Sequence, residues 1–343
     1  MASVLLLSAT SQDDTHGQLE LHYLLESAKR DRFQQHVLTD DPTEADIILF
    51  AEREEAAGAH LERVRRHEYV SAHREKCFVF NPRYKGIPIL PGIYACIPKR
   101  WYDQRRVRSG HYPEVGQNDI FGYSPPMTTA DYLYSFVGVK WTAPVRRKIF
   151  ELPSHSRGLL LDTSDEEINI RKSAEVGKEE LFYMKRYARI SKSSRFVLCP
   201  RGIGVSTLRL FECMRMGRAP VIISDQWVPP QGPRWDEFSI RIREGDVDRL
   251  PSLLASREGD AVEMGLHARR AWESWFSFEA SFHRVTEWCL ELQESRVLPE
   301  RLMQYASFAY TLHPANAVAK FRRLRRTVQS ARAKIVSTAF GPK

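Results

Sequence analysis

The sequence of 343 residues lacks the patterns that define several common protein classes. Its five cysteines form no CxxC pair and no short cluster with histidine, which disfavours a disulfide-stapled secreted domain and a cysteine-based zinc site. The apolar run near the start covers only residues 4–7, too short for a signal peptide or a membrane span. We therefore expect a protein of a reduced, cytoplasmic compartment.

The sequence also has little that could bind a catalytic metal. It contains no DxD motif or histidine-rich cluster in a suitable loop, and the short acidic stretches at 12–14 and 39–41 are typical of caps and turns. We predict no obligatory metal ion and no other cofactor.

Acidic residues are missing from the end of the chain. Residues 301–343 contain nine Lys or Arg and no Asp or Glu, whereas the remaining residues carry 42 basic and 43 acidic side chains. A nearly neutral body disfavours nucleic-acid binding. In the tail, residues 315–338 have an apolar stripe flanked by arginines, which predicts an amphipathic helix that docks on an anionic membrane surface. The alternative is a helix packed on the body with its arginines in solvent.

Apolar strands and helical stretches alternate in two blocks, which predicts α/β architecture with mainly parallel sheets. An irregular stretch, 82–130, separates the blocks and is typical of functional loops or an interdomain crossing. We expect an N-terminal domain over 1–130, a second domain over 131–295 and a basic helical tail over 296–343. The predicted strands are 3–9, 45–52, 76–81, 132–140, 157–163, 195–200, 219–224 and 238–244; the predicted helices are 17–30, 59–74, 143–152, 177–191, 246–257 and 260–294.

The most informative stretch is "FVLCPRGIGVSTLRLFE", which begins at residue 196. A buried strand is followed by Arg201, Gly202 and Gly204, where the backbone can adopt positive φ and approach a ligand closely. Ser206 is a candidate N-cap for the next helix. The turn then lies at the carboxyl end of a parallel strand and the positive end of a helix dipole, which favours a phosphate or diphosphate.

Two further polar side chains follow on the predicted helix. Arg209 could hold the diphosphate, and Glu212 could accept hydrogen bonds from a ribose. The alternative is an intrahelical ion pair between them. The GxGxxG fingerprint and the P-loop pattern are both absent, so neither common nucleotide motif applies.

The stretch "CPRGIGVSTLRLFECMRMGRAPVIISDQWVPP" closely resembles the signature of exostosin-like glycosyltransferases, and "YSFVG" at 134–138 resembles the first donor-domain strand of that family. The resemblance covers roughly residues 130–290. It implies a GT-B fold with two Rossmann-like domains, a cleft between them, a nucleotide-sugar donor on the second domain and inversion at the anomeric carbon. It implies donor-binding roles for Gly138, Arg201, Ser206, Arg209 and Glu212.

Further candidates for the donor site flank these motifs. Lys140, Arg146 and Arg147 follow the Gly138 turn and could neutralise the leaving diphosphate, since a metal-free transfer needs cations there. Each could instead be a solvated surface charge. We include Gly202 and Asp225 among the donor-binding candidates.

Inverting transfer also needs a general base on the acceptor hydroxyl, which we expect on N-terminal loops that face the cleft. Asp13, Asp14 and His16 follow the first strand and Glu52 follows a later one, although each could be an ordinary polar loop residue. Aromatic side chains of the irregular stretch could stack on an acceptor sugar or pack the domain interface: Tyr84, Tyr94, Trp101 and Tyr102.

These patterns predict an inverting glycosyltransferase that moves a sugar from a nucleoside diphosphate to a glycan or lipid-linked acceptor. We expect the nucleotide to be UDP and the enzyme to be a hexosyl- or pentosyltransferase. The alternative is a noncatalytic protein that binds a nucleotide sugar or scaffolds a glycosyltransferase complex.

Overall fold

The computed structural model describes residues 1–10, 14, 17–53, 59–84, 86–126, 129–166 and 176–303. These residues form two parallel β-sheets with helices packed on them, which confirms the predicted α/β architecture. The predicted tail helix, 315–338, lies outside the described residues.

The first sheet contains six strands among the described residues, in the order β2-β1-β3-β4-β5-β6. Every pairing in it is parallel. β3 and β4 are buried along their whole length, as their continuous apolar sequences require. The strands are β1 (Ala2–Leu7), β2 (His36–Leu38), β3 (Ile47–Ala51), β4 (Cys77–Asn81), β5 (Gly92–Tyr94) and β6 (Val107–Ser109).

The second sheet has the order β11-β10-β9-β7-β8 and is also parallel throughout its described pairings. Its core lies between the sheet and helices that follow its strands, in a cluster that includes Phe136, Leu198 and Ile223. The strands are β7 (Tyr132–Gly138), β8 (Gly158–Asp162), β9 (Ser194–Pro200), β10 (Ala219–Ile223) and β11 (Ile240–Ile242).

Helices connect the strands, and no helix within the described ranges is long and apolar enough to cross a membrane. They are α1 (Leu19–Lys29), α2 (Ala59–Arg66), α3 (Glu68–Ala72), α4 (Glu114–Gln117), α5 (Pro144–Phe150), α6 (Val176–Lys192), α7 (Leu208–Met216), α8 (Trp235–Phe238), α9 (Leu250–Ser256), α10 (Ala261–Trp275), α11 (Phe278–Glu294) and α12 (Glu300–Met303).

Two long predicted helices are each broken in the structure. The helix predicted over 260–294 is interrupted at Phe276 and Ser277, where the backbone becomes extended and Ser277 is the N-cap of α11. The helix predicted over 59–74 is interrupted at His67, whose Nδ1 accepts a hydrogen bond from the Tyr69 N–H at 3.2 Å and caps α3. Both breaks lie within continuous helical periodicity, so the pattern alone does not reveal them.

Three strands of the first sheet were not predicted. β2, β5 and β6 have three residues each, which is too short for an alternating pattern to be recognised. β5 and β6 lie in the stretch predicted to be irregular, so that part of the chain completes the first sheet.

Helix α11 joins the two halves of the molecule. It follows the second sheet in the chain but packs on α1 and the first sheet, where the Ser281 Oγ lies 2.8 Å from the Tyr23 Oη and 2.9 Å from the His111 Nε2. One apolar cluster continues from β3 and β4 through α11 to α7. The relative position of the sheets is therefore fixed by a shared core.

The carboxyl ends of the two sheets meet. A Cβ on Gly204, in the loop after β9, would lie 2.7 Å from the Tyr84 carbonyl oxygen and from the Cys96 Sγ, in the loops after β4 and β5. The Lys99 N–H also donates to the Gln226 carbonyl at 2.8 Å. Loops that follow parallel strands of both sheets thus face each other across one boundary.

Candidate functional site

The candidate donor site lies at the point where the strand order of the second sheet reverses. β7 is the first strand of this sheet along the chain, and it lies between β8 and β9. Connections from β7 and β9 leave in opposite directions, so their carboxyl ends border a crevice. The segments after these strands, 139–146 and 201–209, carry most of the predicted donor-binding residues.

Arg146 links the two segments. Its Nε donates to the Arg201 carbonyl at 2.9 Å, and its Nη2 donates to the Pro200 carbonyl at 3.3 Å. The guanidinium also lies over the Phe136 ring, 5.4 Å from its centroid. Burial, and secondly the nearby charge of Arg209, lower the pKa of Arg146 to about 9. This arginine is therefore not a surface charge, and an anion beside it would relieve its desolvation and repulsion.

Arg209 also lies against the Phe136 ring. Its Nη2 donates to the Val137 carbonyl at 2.5 Å, and its guanidinium lies 4.8 Å from the Phe136 centroid. Burial alone would lower the pKa of Arg209, but Tyr187, Tyr183 and Glu212 together raise it above its ordinary value. Glu212 is half-buried on the same helix, and its charge is one of the influences that raise the pKa of Arg209. An intrahelical ion pair between them stays a prediction.

The glycines of the site provide space rather than positive φ. Positive φ occurs in the described glycines only at 92, 217 and 232. A Cβ on Gly138 would lie 3.0 Å from the Arg209 Nη2, and a Cβ on Gly202 would lie 3.2 Å from the Arg146 Nη2. Gly202 and Gly204 do not adopt the positive φ that was expected there, because neither is among the glycines with positive φ. Close approach of their backbone to a ligand stays a prediction.

Arg201 is held by an acid that the sequence did not indicate. Its Nε donates to the Glu244 Oε1 at 2.7 Å. Glu244 follows β11, and its N–H donates to the Asp225 Oδ1 at 3.1 Å. Asp225 is exposed and lies at the end of β10, so the three residues connect the loops after β9, β10 and β11.

Ser206 lies one residue before the N-cap of α7. Thr207 has the extended backbone of an N-cap, and the helix begins at Leu208, so the predicted N-cap is displaced by one residue. Ser206 is buried, and its N–H donates to the Cys96 Sγ at 3.4 Å across the boundary between the sheets. Its position is set by contact with the first domain as well as by the helix.

Lys140 and Arg147 differ from Arg146 in their environment. The Lys140 Nζ lies 2.9 Å from the Asp162 Oδ2, at the end of β8, and this hydrogen-bonded partner raises the pKa of Lys140. Arg147 is exposed on α5. Lys140 is thus neutralised by a carboxylate in this state, and Arg147 matches the surface-charge alternative.

Glu52 occupies the corresponding reversal point of the first sheet. β1 lies between β2 and β3 there, and Glu52 directly follows β3. Its Oε1 accepts a hydrogen bond from the Ala9 N–H at 2.6 Å, and its Oε2 lies 3.5 Å from the Thr10 Oγ1. The carboxylate therefore spans the ends of β1 and β3, where a ligand crevice is expected.

Burial raises the pKa of Glu52 to about 7, because its side chain is fully covered. The hydrogen bond from Ala9 and the charge of Arg63 oppose this rise. A carboxyl group with a pKa near neutral pH can both accept and release a proton there, as a general base must.

The other base candidates have less support. Asp14 is exposed, and its Oδ1 accepts a hydrogen bond from the Gly17 N–H at 2.9 Å, which is a turn-forming role. Asp13 and His16 lie outside the described residues. Among the aromatic candidates, Tyr84 stays partly exposed beside Gly204, whereas the others pack in or against the first-sheet core: Tyr94, Trp101 and Tyr102.

Comparison with known proteins supports the family suggested by the donor motif. Residues 111–257 match the family model of the Exostosin GT47 domain. The Exostosin-1 homolog of Caenorhabditis elegans is 33% identical over 92 residues, which cover 26% of this chain and 24% of that protein. A probable glucuronosyltransferase of Oryza sativa subsp. japonica is 42% identical over 69 residues, or 20% of this chain and 16% of that protein. Residues 111–257 are thus similar to the Exostosin GT47 domain, and the chain matches less than a quarter of the length of these relatives.

Solved structures of glycosyltransferases align with most of this chain at low sequence identity and low TM-score. A glycosyltransferase from Rickettsia africae aligns over 86% of this chain and 99% of its own, with 10% identity and a TM-score of 0.40. MurG of Acinetobacter baumannii aligns over 86% of this chain with 10% identity and a TM-score of 0.37. Two parallel Rossmann-like sheets whose carboxyl ends meet define the fold as GT-B, as predicted.

The raised pKa of Glu52 predicts a pH-dependent contribution to stability. A folded-state pKa near 7, above the ordinary 4.5, means that the folded state holds this proton more tightly than the unfolded state. The contribution is fully present below pH 4.5 and is lost as the pH rises through 7. Glu52→Gln keeps an acceptor for Ala9 but cannot ionise. The free energy of unfolding of Glu52→Gln minus that of the wild type should therefore increase by about 2 to 3 kcal/mol when the pH is raised from 5 to 7.5.

Urea unfolding at the two pH values measures this difference. Glu263→Gln is the control, since the Glu263 side chain is 77% exposed and its replacement removes no buried carboxyl group. A constant difference for Glu52→Gln would contradict the raised pKa.

Proposed function

We propose that this protein is an inverting glycosyltransferase that transfers a sugar from a nucleoside diphosphate, with UDP as the expected nucleotide, to a glycan or lipid-linked acceptor. The observation that carries the proposal is the arginine cluster at the carboxyl ends of β7 and β9: Arg146, Arg201 and Arg209. The exostosin-like domain over 111–257 covers all three.

The chemistry of this cluster suits a diphosphate. Arg146 and Arg209 are buried and Arg201 is partly exposed, so three guanidinium groups at one sheet edge favour an anion. A diphosphate offers several oxygens in the spacing that arginine forks bind. Helix α7 adds the positive end of its dipole. We assign contacts with the diphosphate to Arg201 and Arg209, and contacts with the ribose to Glu212.

A bound diphosphate could replace Glu244 as the partner of Arg201. Arg201 is paired with Glu244 in this state, and a diphosphate would compete for the same guanidinium. The side chains of the pair are 24% and 20% exposed, so a ligand can reach them without unfolding the loop. Lys140 has the same relation to Asp162 and could swing towards the leaving group. These cations would stabilise the leaving diphosphate in place of a metal ion.

We assign the general base to Glu52. It lies at the reversal point of the first sheet, where the Asn81 Nδ2 at the end of β4 donates to its carbonyl at 3.4 Å, and the loop after β4 faces the donor loop at Gly204. With a pKa near 7, it would take the proton of the acceptor hydroxyl as that oxygen attacks the anomeric carbon and the diphosphate leaves. Its covered position requires that acceptor binding displace a neighbour such as Thr10.

Donor binding should depend on Arg201 and Glu212. Arg201→Ala and Glu212→Ala each remove one charge-assisted contact, so each should weaken UDP binding by about tenfold to a hundredfold. Isothermal titration calorimetry measures the affinities, and circular dichroism checks the fold. Arg257→Ala is a matched control, because Arg257 pairs with Asp260 on the surface. Unchanged UDP affinity in both donor-site variants would contradict the assignment of these contacts to Arg201 and Glu212.

Transfer should depend on the proton-accepting capacity of Glu52. Glu52→Gln preserves the bond from Ala9 but cannot take a proton, so kcat should fall by about 10² to 10⁴ while UDP affinity stays at the wild-type value. The wild-type rate should rise with pH to a plateau, with its inflection near pH 7. A panel of UDP-sugars and acceptors provides the assay.

The same variant distinguishes the alternatives. If Glu52→Gln transfers sugar at the wild-type rate, Glu52 only positions the loop after β1 and is not the base. If the wild-type protein binds nucleotide sugars without transfer or hydrolysis across a broad panel, a noncatalytic binding role replaces the enzyme.

The basic tail remains a proposal derived from sequence. We propose that residues 315–338 bring the cleft to an anionic membrane surface on the cytoplasmic side, where a lipid-linked acceptor would be presented. Truncation after Tyr310 should then abolish co-sedimentation with anionic vesicles and leave UDP binding unchanged; equal sedimentation of the truncated chain would refute it.

A further inference from the structure

A cluster of metal-ligating side chains lies away from the candidate donor site. His36, His283 and Glu287 each offer one ligand atom, and these atoms lie within 4.8 Å of one another. His36 is the first residue of β2, and the other two lie four residues apart on α11. Residues with this spacing share one face of a helix, so His283 and Glu287 can bind one ion together.

The polar atoms of this cluster are incompletely satisfied. His36 is 8% exposed and His283 is 4% exposed. The Nδ1 atoms of both rings are buried, and within the part of the chain that the structure describes they have no hydrogen-bond partner. Such atoms are costly unless they bind something. The ring centroids are 5.0 Å apart, so the two imidazoles are direct neighbours.

The electrostatic surroundings suit a cation. The Glu287 Oε1 lies 2.8 Å from the His36 Nε2. Asp31 is also buried close by, so a second carboxylate lies near the two imidazoles. Imidazole nitrogens and carboxylate oxygens are the donors that hold a zinc ion, and this cluster offers both. Arg284 opposes a cation, but its guanidinium is directed over the Trp275 ring, 4.1 Å from the centroid.

We propose that His36, His283 and Glu287 bind a divalent cation of the zinc class. Two imidazoles and one carboxylate form a ligand set that Zn²⁺ commonly takes, with a fourth position left for water. The Glu287 side chain is 41% exposed, which gives the ion a route of entry and lets the carboxylate adjust its position on coordination.

The position of the site indicates a structural role. His36 pairs with Ala2 in the parallel register, so it lies at the amino end of the first sheet, whereas Glu52 and the donor loop lie at the carboxyl ends. The ion would connect β2 to α11, the helix that returns from the second half of the chain. It would therefore stabilise the contact between the two halves without taking part in transfer.

Zinc titration of the full chain tests this proposal. The protein is purified without a histidine tag and stripped with a chelator, and zinc chloride is then added in a calorimeter. We expect one site, and zinc in about hundredfold excess over its Kd should raise the Tm by about 5 °C or more. Glu287→Gln and His283→Gln should each weaken zinc binding by at least about a hundredfold, since loss of a ligand costs more than loss of an outer partner.

A second histidine–glutamate pair serves as the matched control. Glu263 and His267 lie four residues apart on α10, with 3.9 Å between the Glu263 Oε1 and the His267 Nε2, and they belong to no described cluster of three potential ligands. His267→Gln should leave zinc affinity unchanged. If His283→Gln fails to fold, Glu287→Gln decides, because its partly exposed side chain can be replaced without disturbing the core.

Two results would overturn the proposal: absence of zinc binding by the wild-type chain at micromolar concentrations, or binding that persists in Glu287→Gln and in folded His283→Gln. Chelator should lower the Tm of the wild-type protein and leave that of Glu287→Gln unchanged. Zinc affinity and Tm do not depend on glycosyl transfer, so these measurements test the metal site independently of the proposed function.

Discussion

The return of α11 to the first sheet is the constraint on which the candidate site depends. A parallel sheet presents a ligand edge at its carboxyl ends, but two such edges make a shared site only if they are held face to face. Ser281 provides a buried hydrogen-bonding position between Tyr23 and His111, and the apolar cluster around it continues into α7. Burial lowers the pKa of His111 to about 3, so this contact is a neutral one that does not change with physiological pH.

The two sheets carry different ionisable groups where their carboxyl ends meet. On the second sheet, arginines lie at the carboxyl ends of the strands: Arg201 pairs with Glu244 at a neighbouring strand end, and Arg209 has Glu212 on its own helix. On the first sheet, a covered carboxyl group with a raised pKa lies at the equivalent reversal point. The proposed inverting transfer would need an anionic donor on one side of this boundary and a proton acceptor on the other.

The sequence predicted much of this arrangement because its longer strands have continuous apolar runs. β3, β4, β9 and β10 were recognised in this way, and Gly217 ends α7 in the left-handed conformation expected of a helix stop. The sequence predicted Arg146 only as one of several cations that could lie near the diphosphate. Its burial and its contacts with the Pro200 and Arg201 carbonyls depend on tertiary packing.

What the sequence did not predict depends on distant residues. Glu244 is 43 residues from Arg201, and no local pattern marks it as a partner. The pKa of Glu52 depends on how completely other parts of the chain bury its side chain, and a sequence pattern does not show this burial. The three-residue strands and the break at Ser277 likewise result from packing, since their own residues are compatible with the surrounding periodicity.

The most direct test of the central claim is hydrogen–deuterium exchange with and without UDP. The claim is that the carboxyl ends of β7 and β9 bind the diphosphate beside a first domain that α11 holds in place. Saturating UDP should slow exchange in 139–146 and 201–209, with a smaller effect at the facing loop around Tyr84. If UDP binds but protects other segments and leaves 201–209 unchanged, the donor site lies elsewhere and the account of the cleft is wrong.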